Sequence, residues 1–356
     1  MFMIRRRLVH LGAVAAVIAV AATCGREAPS GGVDLTGAGG TFPYPLYRRW
    51  FADYAERTGV RINYLSVGSD EGIRLLDSAK VDFGAIDRAL TNTDQRANGC
   101  ARIAVPTVAG AIAIVYNLPG VRSALRLDAD VLAEIFAGRV TRWDAPSIAA
   151  RNPGVSLPAL AITVVHRGGG SGTSRAFAAF LASSAQWPRA VKSGGDVVWP
   201  IGVAVEGNEG IGAQVQQTVG ALGYAELAYA TLYHLQVALV RNALGEDVLP
   251  SDASVRGALA AAFAGGDHGP SLILTSAPRS YPIAALTWLV FDPQTLDVAR
   301  REKVVGFIRW ALHDGAAAAG RLEYVPLPPA VVAQYDSALT SLTPGPCPSG
   351  APRTTR

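Results

Sequence analysis

The chain has 356 residues, 50% of them apolar and 17% charged, which is enough apolar side chain for a buried core in two domains. Its formal charge of +4 shrinks once the N-terminal segment is set aside. That segment holds three arginines and no acid, so 29 Lys+Arg then face 28 Asp+Glu. A near-neutral body without a polybasic run excludes a nucleic-acid-binding class.

In chain order, Arg5, Arg6 and Arg7 precede the apolar run Leu11 to Ala22. That run is too short to span a bilayer and fits the h-region of an export signal. It ends in "AATC", small residues before Cys24, similar to a lipobox, in which the signal is cut before a cysteine that then carries lipid. Ala21 stands where that pattern usually has leucine, and an ordinary secretory signal cut nearby is the alternative. Residues 1–24 are expected to be the signal with its lipobox cysteine, and 25–33 a polar spacer. Either way an exported, periplasmic protein is expected, touching the membrane only through the anchor.

"GAGGTFP" is a glycine-rich turn before a helix starting near Pro43, with Thr41 and the backbone of Phe42 at its N-terminus. "VRINYLSVG" reads as a strand, and "SVGSDEGI" places Ser69 as the cap of a helix from Glu71. "VDFGAIDRAL" reads as strand and turn, with Asp87 in the turn. The apolar run Ile103 to Leu118 predicts one long strand or two joined strands, because Pro106 and Gly110 disfavour a helix. "LAEIFAGRVTRWD" is helical up to its glycine, "LAITVVHR" a strand and "SRAFAAFLASS" a helix. "YPIAALTWLVFD" is a second long apolar strand, and "REKVVGFIRWALHDGAAAAG" one amphipathic helix ending in glycine. This alternation predicts an α/β fold with mostly parallel sheets. The two long apolar strands are candidates for crossings between two lobes, one of which holds both ends of the chain.

Between strand and helix lies "RGGGSGTS". The first N–H groups of a helix lack intrahelical acceptors, and the macrodipole makes that end positive. Glycines let an anion approach the backbone, Ser171 and Thr173 add hydroxyl donors, and Arg167 adds a fork of donors suited to tetrahedral oxyanions. There is no Walker-type phosphate loop here. Asp87 is either a surface turn residue, the commoner fate of an aspartate, or the member that completes the set: a carboxylate accepts the proton that phosphate retains at neutral pH, whereas sulfate has none to give.

Together these residues and blocks match a known family. "LTGAGGTFPYPLYRRWF", "YLSVGSDEGI", "VDFGAIDRALT", "VPTVAGAIAIVYNLPGV", "VVHRGGGSGTS", "GNEGI" and "GALGYAELAYA" resemble the high-affinity phosphate-binding proteins of bacterial ABC phosphate transporters. The resemblance implies a type II periplasmic-binding fold: two lobes that close on one orthophosphate about a hinge near 105–112 and 279–285. Lobe 1 would be 34–108 with 282–345, lobe 2 would be 109–281, and 346–356 a tail. It implies ligand contacts from Thr41, Phe42, Ser69, Asp87, Arg167, Ser171, Gly172 and Thr173. It further implies no cofactor, no catalysis, a monomer, and delivery to permease subunits in the inner membrane. A tethered phosphate sensor or scavenger without a permease, or an exported hydrolase using Ser171, are the alternatives.

Four positions depart from that family's usual pattern. Gly169 stands where an acid often follows the arginine, which would leave Arg167 less firmly oriented. Ile86 replaces a small residue before the loop aspartate, and Asp70 and Glu71 put two carboxylates beside the site serine. Arg88 is expected to offset that pair at the cleft rim. Of the remaining cysteines, Cys100 and Cys347 are expected to form a disulfide in an oxidising compartment, with two free thiols as the alternative. His166 is read as a packed residue ending its strand, and Trp143, Trp199 and Trp288 as core.

Overall fold

A computed structural model describes residues 34–88, 91–97, 100–191, 197–264, 271–340 and 342. The export signal, the spacer, Cys24, Cys347 and the side chain of Cys100 lie outside the described residues, and with them the anchor and the disulfide. No helix among the described residues is long and apolar enough to cross a membrane.

One continuous sheet runs Ile62–Ser66, Leu35–Gly39, Phe83–Ile86, Ala284–Phe291, Ile103–Tyr116, Ala221–Glu226, Thr163–Arg167, Val203–Val205. The first three strands are mutually parallel, as are the last three. The centre is antiparallel, so the expectation of mostly parallel sheets is corrected to a mixed one. The reason is connectivity. Ala284–Phe291 enters from the far side after the middle of the chain has been built, so it runs back against both Phe83–Ile86 and Ile103–Tyr116. Parallel pairing would need a full crossover returning to the same end.

The long strand is single, and it joins the two parts of the sheet. Residues 103–111 pair with Ala284–Phe291, and residues 112–116 with Leu222–Glu226. It is buried from Val105 to Tyr116, which is why it reads as an unbroken apolar run rather than an alternating one. Pro106 cannot donate to a ladder, and the register shifts beside it, between Thr287 and Trp288. Thr107 falls in that shift; its hydroxyl donates to the Thr287 carbonyl (3.2 Å) and lies 2.9 Å from the Tyr47 hydroxyl.

The helix expected over residues 301–320 differs from the sequence expectation. It divides into Val298–Leu312 and Ala316–Arg321. The break is tertiary: the Trp50 indole donates to the Gly315 carbonyl at 2.8 Å, and a Cβ on Gly315 would sit 3.0 Å from that nitrogen. Trp50 stacks on Tyr47, and Phe51, Tyr64, Phe307 and Phe83 extend the cluster from Tyr47 in ring-to-ring contact with one another. Beneath the other part of the sheet, Phe136, Phe177, Trp199 and Tyr224 form a second aromatic cluster. Trp143 and Trp288 are fully buried as expected; Trp199 is half-buried and covers that second cluster.

Candidate functional site

Three parallel strands end side by side, and each hands its next residues to one place. Leu35–Gly39 leads to Thr41, Ile62–Ser66 to Ser69, and Phe83–Ile86 to Asp87. Thr163–Arg167 does the same from the other part of the sheet, ending in Arg167 before the helix Gly172–Leu181. Carboxyl ends of parallel strands are where open α/β sheets bind ligands. Thr41, Phe42, Ser69, Asp87, Arg167, Ser171 and Thr173 are all buried, each at 4% exposure or less.

The two groups of residues meet. Arg167 Nη1 donates to Thr41 Oγ1 at 3.0 Å across 126 residues of sequence. A Cβ on Gly172 would lie 2.7 Å from Ser69 Oγ and 3.0 Å from Asp87 Cβ, so only glycine lets this helix start reach the opposite loops. The Asp70 N–H donates to the Gly170 carbonyl at 3.3 Å.

The loop 40–42 is turned by three buried tyrosines. The hydroxyls of Tyr64, Tyr229 and Tyr324 donate to the carbonyls of Gly40, Thr41 and Phe42 at 2.9, 2.7 and 2.6 Å. Each peptide is planar and trans, so its N–H opposes its carbonyl. The N–H groups of Thr41 and Phe42 therefore face away from the tyrosine hydroxyls. The helix Gly172–Leu181 adds its first N–H groups, capped by Ser171, whose hydroxyl accepts from Ser174 N at 3.2 Å. The Ser171 oxygen is thus occupied as a cap, and its proton is the part left to offer a ligand.

Asp87 is held by hydroxyls. Ser69 Oγ donates to Oδ2 at 3.3 Å and Thr287 Oγ1 to Oδ1 at 3.1 Å. Burial pushes the Asp87 pKa up to about 6, against the pull of Thr287, Arg167, Ser69 and Arg88. Burial also lowers the Arg167 pKa, opposed by the fields of Tyr224, Glu209, Asp87 and Glu206. A guanidinium stays charged under such a shift, so the site carries one firm positive charge and one carboxyl that titrates near neutrality. Among the described residues no cluster of His, Cys, Asp or Glu gathers to hold a metal.

Several sequence expectations need correction. Ser69 is the first residue of its helix rather than its cap; Gly68 holds the cap position at φ 94°, which frees the Ser69 hydroxyl for Asp87. Arg88 does not neutralise an Asp70/Glu71 pair. Its main partner is Asp94, with Asp70 at 3.5 Å, and Glu71 turns to Arg74, whose Nε donates to it at 2.6 Å. Asp70 is taken instead by Arg175, from the helix Gly172–Leu181, with Nη1 donating at 2.6 Å. The pair spans the two groups of site residues, so Arg175→Ala should weaken anion binding at this site about three- to tenfold. Isothermal titration at low and high salt checks this, since the ion pair predicts a smaller mutational penalty at high salt. Gly169 has φ 68° with open space where a Cβ would be, and Arg167 is fixed instead by Thr41. Ile86 is fully buried, paired in register with Trp288. His166 stacks on Trp199 at 5.8 Å and has Nδ1 3.1 Å from the Arg167 carbonyl, in keeping with a packed role.

Besides Tyr64 and Tyr324, four contributors are absent from the sequence reading. Asn208, Thr287, Tyr229 and Glu226 are buried and bond to site residues or to one another. Only "GNEGI" and "GALGYAELAYA" marked their neighbourhoods, and an asparagine or threonine inside a block carries no signal of what it will face.

Comparison with known proteins places this geometry. A family model described as a PBP superfamily domain matches residues 26–314. The PstS phosphate-binding protein of Xylella fastidiosa strain 9a5c is 38% identical over 309 residues, 86% of this chain and 84% of that protein. The chain belongs to this family. The PstS phosphate-binding protein of Haemophilus influenzae is 36% identical over 307 residues, covering 85% of this chain and 91% of that protein. Among solved structures, the phosphate-binding protein of Stenotrophomonas maltophilia superposes with a TM-score of 0.63 at 21% identity, covering 86% and 94% of the two chains. A high-affinity periplasmic phosphate-binding protein bound with phosphate, PfluDING, superposes at 0.66 and 22% identity, covering 86% and 93%. The fold is the type II periplasmic-binding fold, as the sequence resemblance implies.

Proposed function

We propose that this PstS-family protein captures inorganic phosphate and hands it to an ABC-type import permease in the inner membrane. The carrying observation is that Thr41, Ser69 and Asp87 meet Arg167, Gly172 and Thr173 in one buried cluster although they come from distant parts of the chain. Arg167 supplies countercharge, the backbone N–H groups of Phe42, Gly172 and Thr173 supply donors, and Asp87 accepts the ligand's proton.

Lobe 1 comprises 34–108 and 282–345 and lobe 2 comprises 109–281. Closure would turn on the long strand near 105–112 and on 279–285, where Ile112 N donates to the Ile283 carbonyl at 2.8 Å. A cleft between lobes makes closure depend on ligand. The protein acts in the periplasm as a monomer, tethered through lipid on Cys24, with Cys100 and Cys347 joined and residues 346–356 as its tail.

Calorimetric titration of the full chain with inorganic phosphate and then sulfate tests the reading. Binding in about the micromolar range or tighter is expected for phosphate, with sulfate at least about a hundredfold weaker. Equal affinity for both anions, or none for phosphate, would overturn it.

A further inference from the structure

Thr41 Oγ1 is surrounded by donors. It accepts from Arg167 Nη1 (3.0 Å), from Asn208 Nδ2 (2.8 Å) and from the Asn208 backbone N–H (3.2 Å). A hydroxyl oxygen has two lone pairs and one proton. With its two lone pairs shared among these three N–H groups, Thr41 has its own proton to place elsewhere. The orientation of the Asn208 amide is fixed by chemistry: its Oδ1 accepts from the Glu226 backbone N–H at 3.0 Å, and a backbone N–H can only donate. Nδ2 is therefore the atom facing Thr41 Oγ1 and, at 3.5 Å, Thr173 Oγ1. Asn208 is fully buried in the first turn of the helix Gly207–Gln217, and its amide bridges hydroxyls from the two groups of site residues.

From this we infer that Asn208 is a positioning residue for the anion site: by donating to the Thr41 and Thr173 hydroxyls it aims their protons at the ligand. The inference rests on the phosphate-binding reading above and deepens it. Once Thr41 is held as a donor, and Thr173 is biased the same way by the longer 3.5 Å contact, Asp87 is left to accept the ligand's proton. A hydroxyl free to rotate could accept from a ligand as easily as donate, which would blur the distinction between a protonated and an unprotonated tetrahedral anion. Asn208 acts through other residues and does not itself need to touch phosphate.

A double-mutant cycle on the full chain separates positioning from packing. Phosphate affinity is measured by calorimetry for wild type, Asn208→Leu, Thr41→Val and the double variant, with circular dichroism and Tm recorded for each. The expected result is a loss of about tenfold or more for Asn208→Leu in the wild-type background, and about threefold or less in the Thr41→Val background. The same penalty in both backgrounds would assign Asn208 a merely structural role and overturn the inference. Should Asn208→Leu fail to fold, Asn208→Asp answers instead. A carboxylate accepts from Thr41 and turns its proton away, whereas the protonated acid can donate. Its affinity relative to wild type should therefore recover by about tenfold or more between about pH 8 and about pH 5. A ratio to wild type unchanged across that range overturns the proposal. If the wild-type protein itself takes no phosphate, the functional reading fails first and carries this inference with it.

Discussion

Arg167→Ala is expected to weaken phosphate binding by about a thousandfold in isothermal titration, the largest effect of any single change at the site. The guanidinium is 4% exposed and its Nη1 is anchored on Thr41 Oγ1, so it meets the ligand without first being ordered. Removing it takes away a desolvated charge and leaves Asp87 buried without one of the cations that stabilise its ionised form. Truncating one partner of a buried charged pair costs about 2–5 kcal/mol. Arg167→Lys should fall between, because an ammonium keeps the charge but loses the fork that spans two oxygens. An Arg167→Ala protein that binds phosphate within about threefold of wild type would refute this assignment of the countercharge.

Asp87→Asn is expected to change selectivity more than affinity. Its carboxylate is held by Ser69 and Thr287 and is proposed to accept from the ligand's hydroxyl, while an amide in its place presents a donor as well. The phosphate-to-sulfate affinity ratio should drop by about tenfold or more, through sulfate binding better and phosphate worse. Competition titrations with both anions decide it; an unchanged ratio would remove Asp87 from the discrimination.

The same substitution has a signature in stability. The folded pKa of Asp87 is raised to about 6 from 3.8, chiefly by burial. A raised carboxyl pKa means the group's contribution is fully present below the unfolded pKa and is lost as pH rises through the folded one. At neutral pH the ion's burial costs at most about 3 kcal/mol. The Tm of Asp87→Asn relative to wild type should therefore climb between about pH 4 and about pH 7, in phosphate-free buffer. A constant difference across that window would show that Asp87 titrates as it does in the unfolded chain.

Local chemistry was legible in the sequence where one residue type does one job. "RGGGSGTS" between strand and helix marked Arg167 and the glycine-rich start of the helix, and the unbroken apolar run marked a strand buried along most of its length. What misled was pairing at a distance. "SDEG" shows two acids beside a serine, but nothing in the string tells that Asp70 will reach Arg175 while Glu71 turns to Arg74. The run from Arg301 to Gly320 reads as one helix because the break depends on the Trp50 indole, which lies far away along the chain.

By itself the sequence determined which segments are buried, where the chain turns, and which side chains can bind a tetrahedral oxyanion, since periodicity, glycine and donor count are properties of a residue and its neighbours. The tertiary structure decided the mixed sheet, the tyrosines that turn the loop 40–42, and the place of Asn208 among the hydroxyls. Those depend on groups up to 282 residues apart being brought within 3.5 Å, and hydrogen-bond direction is set only once donor and acceptor share a pocket.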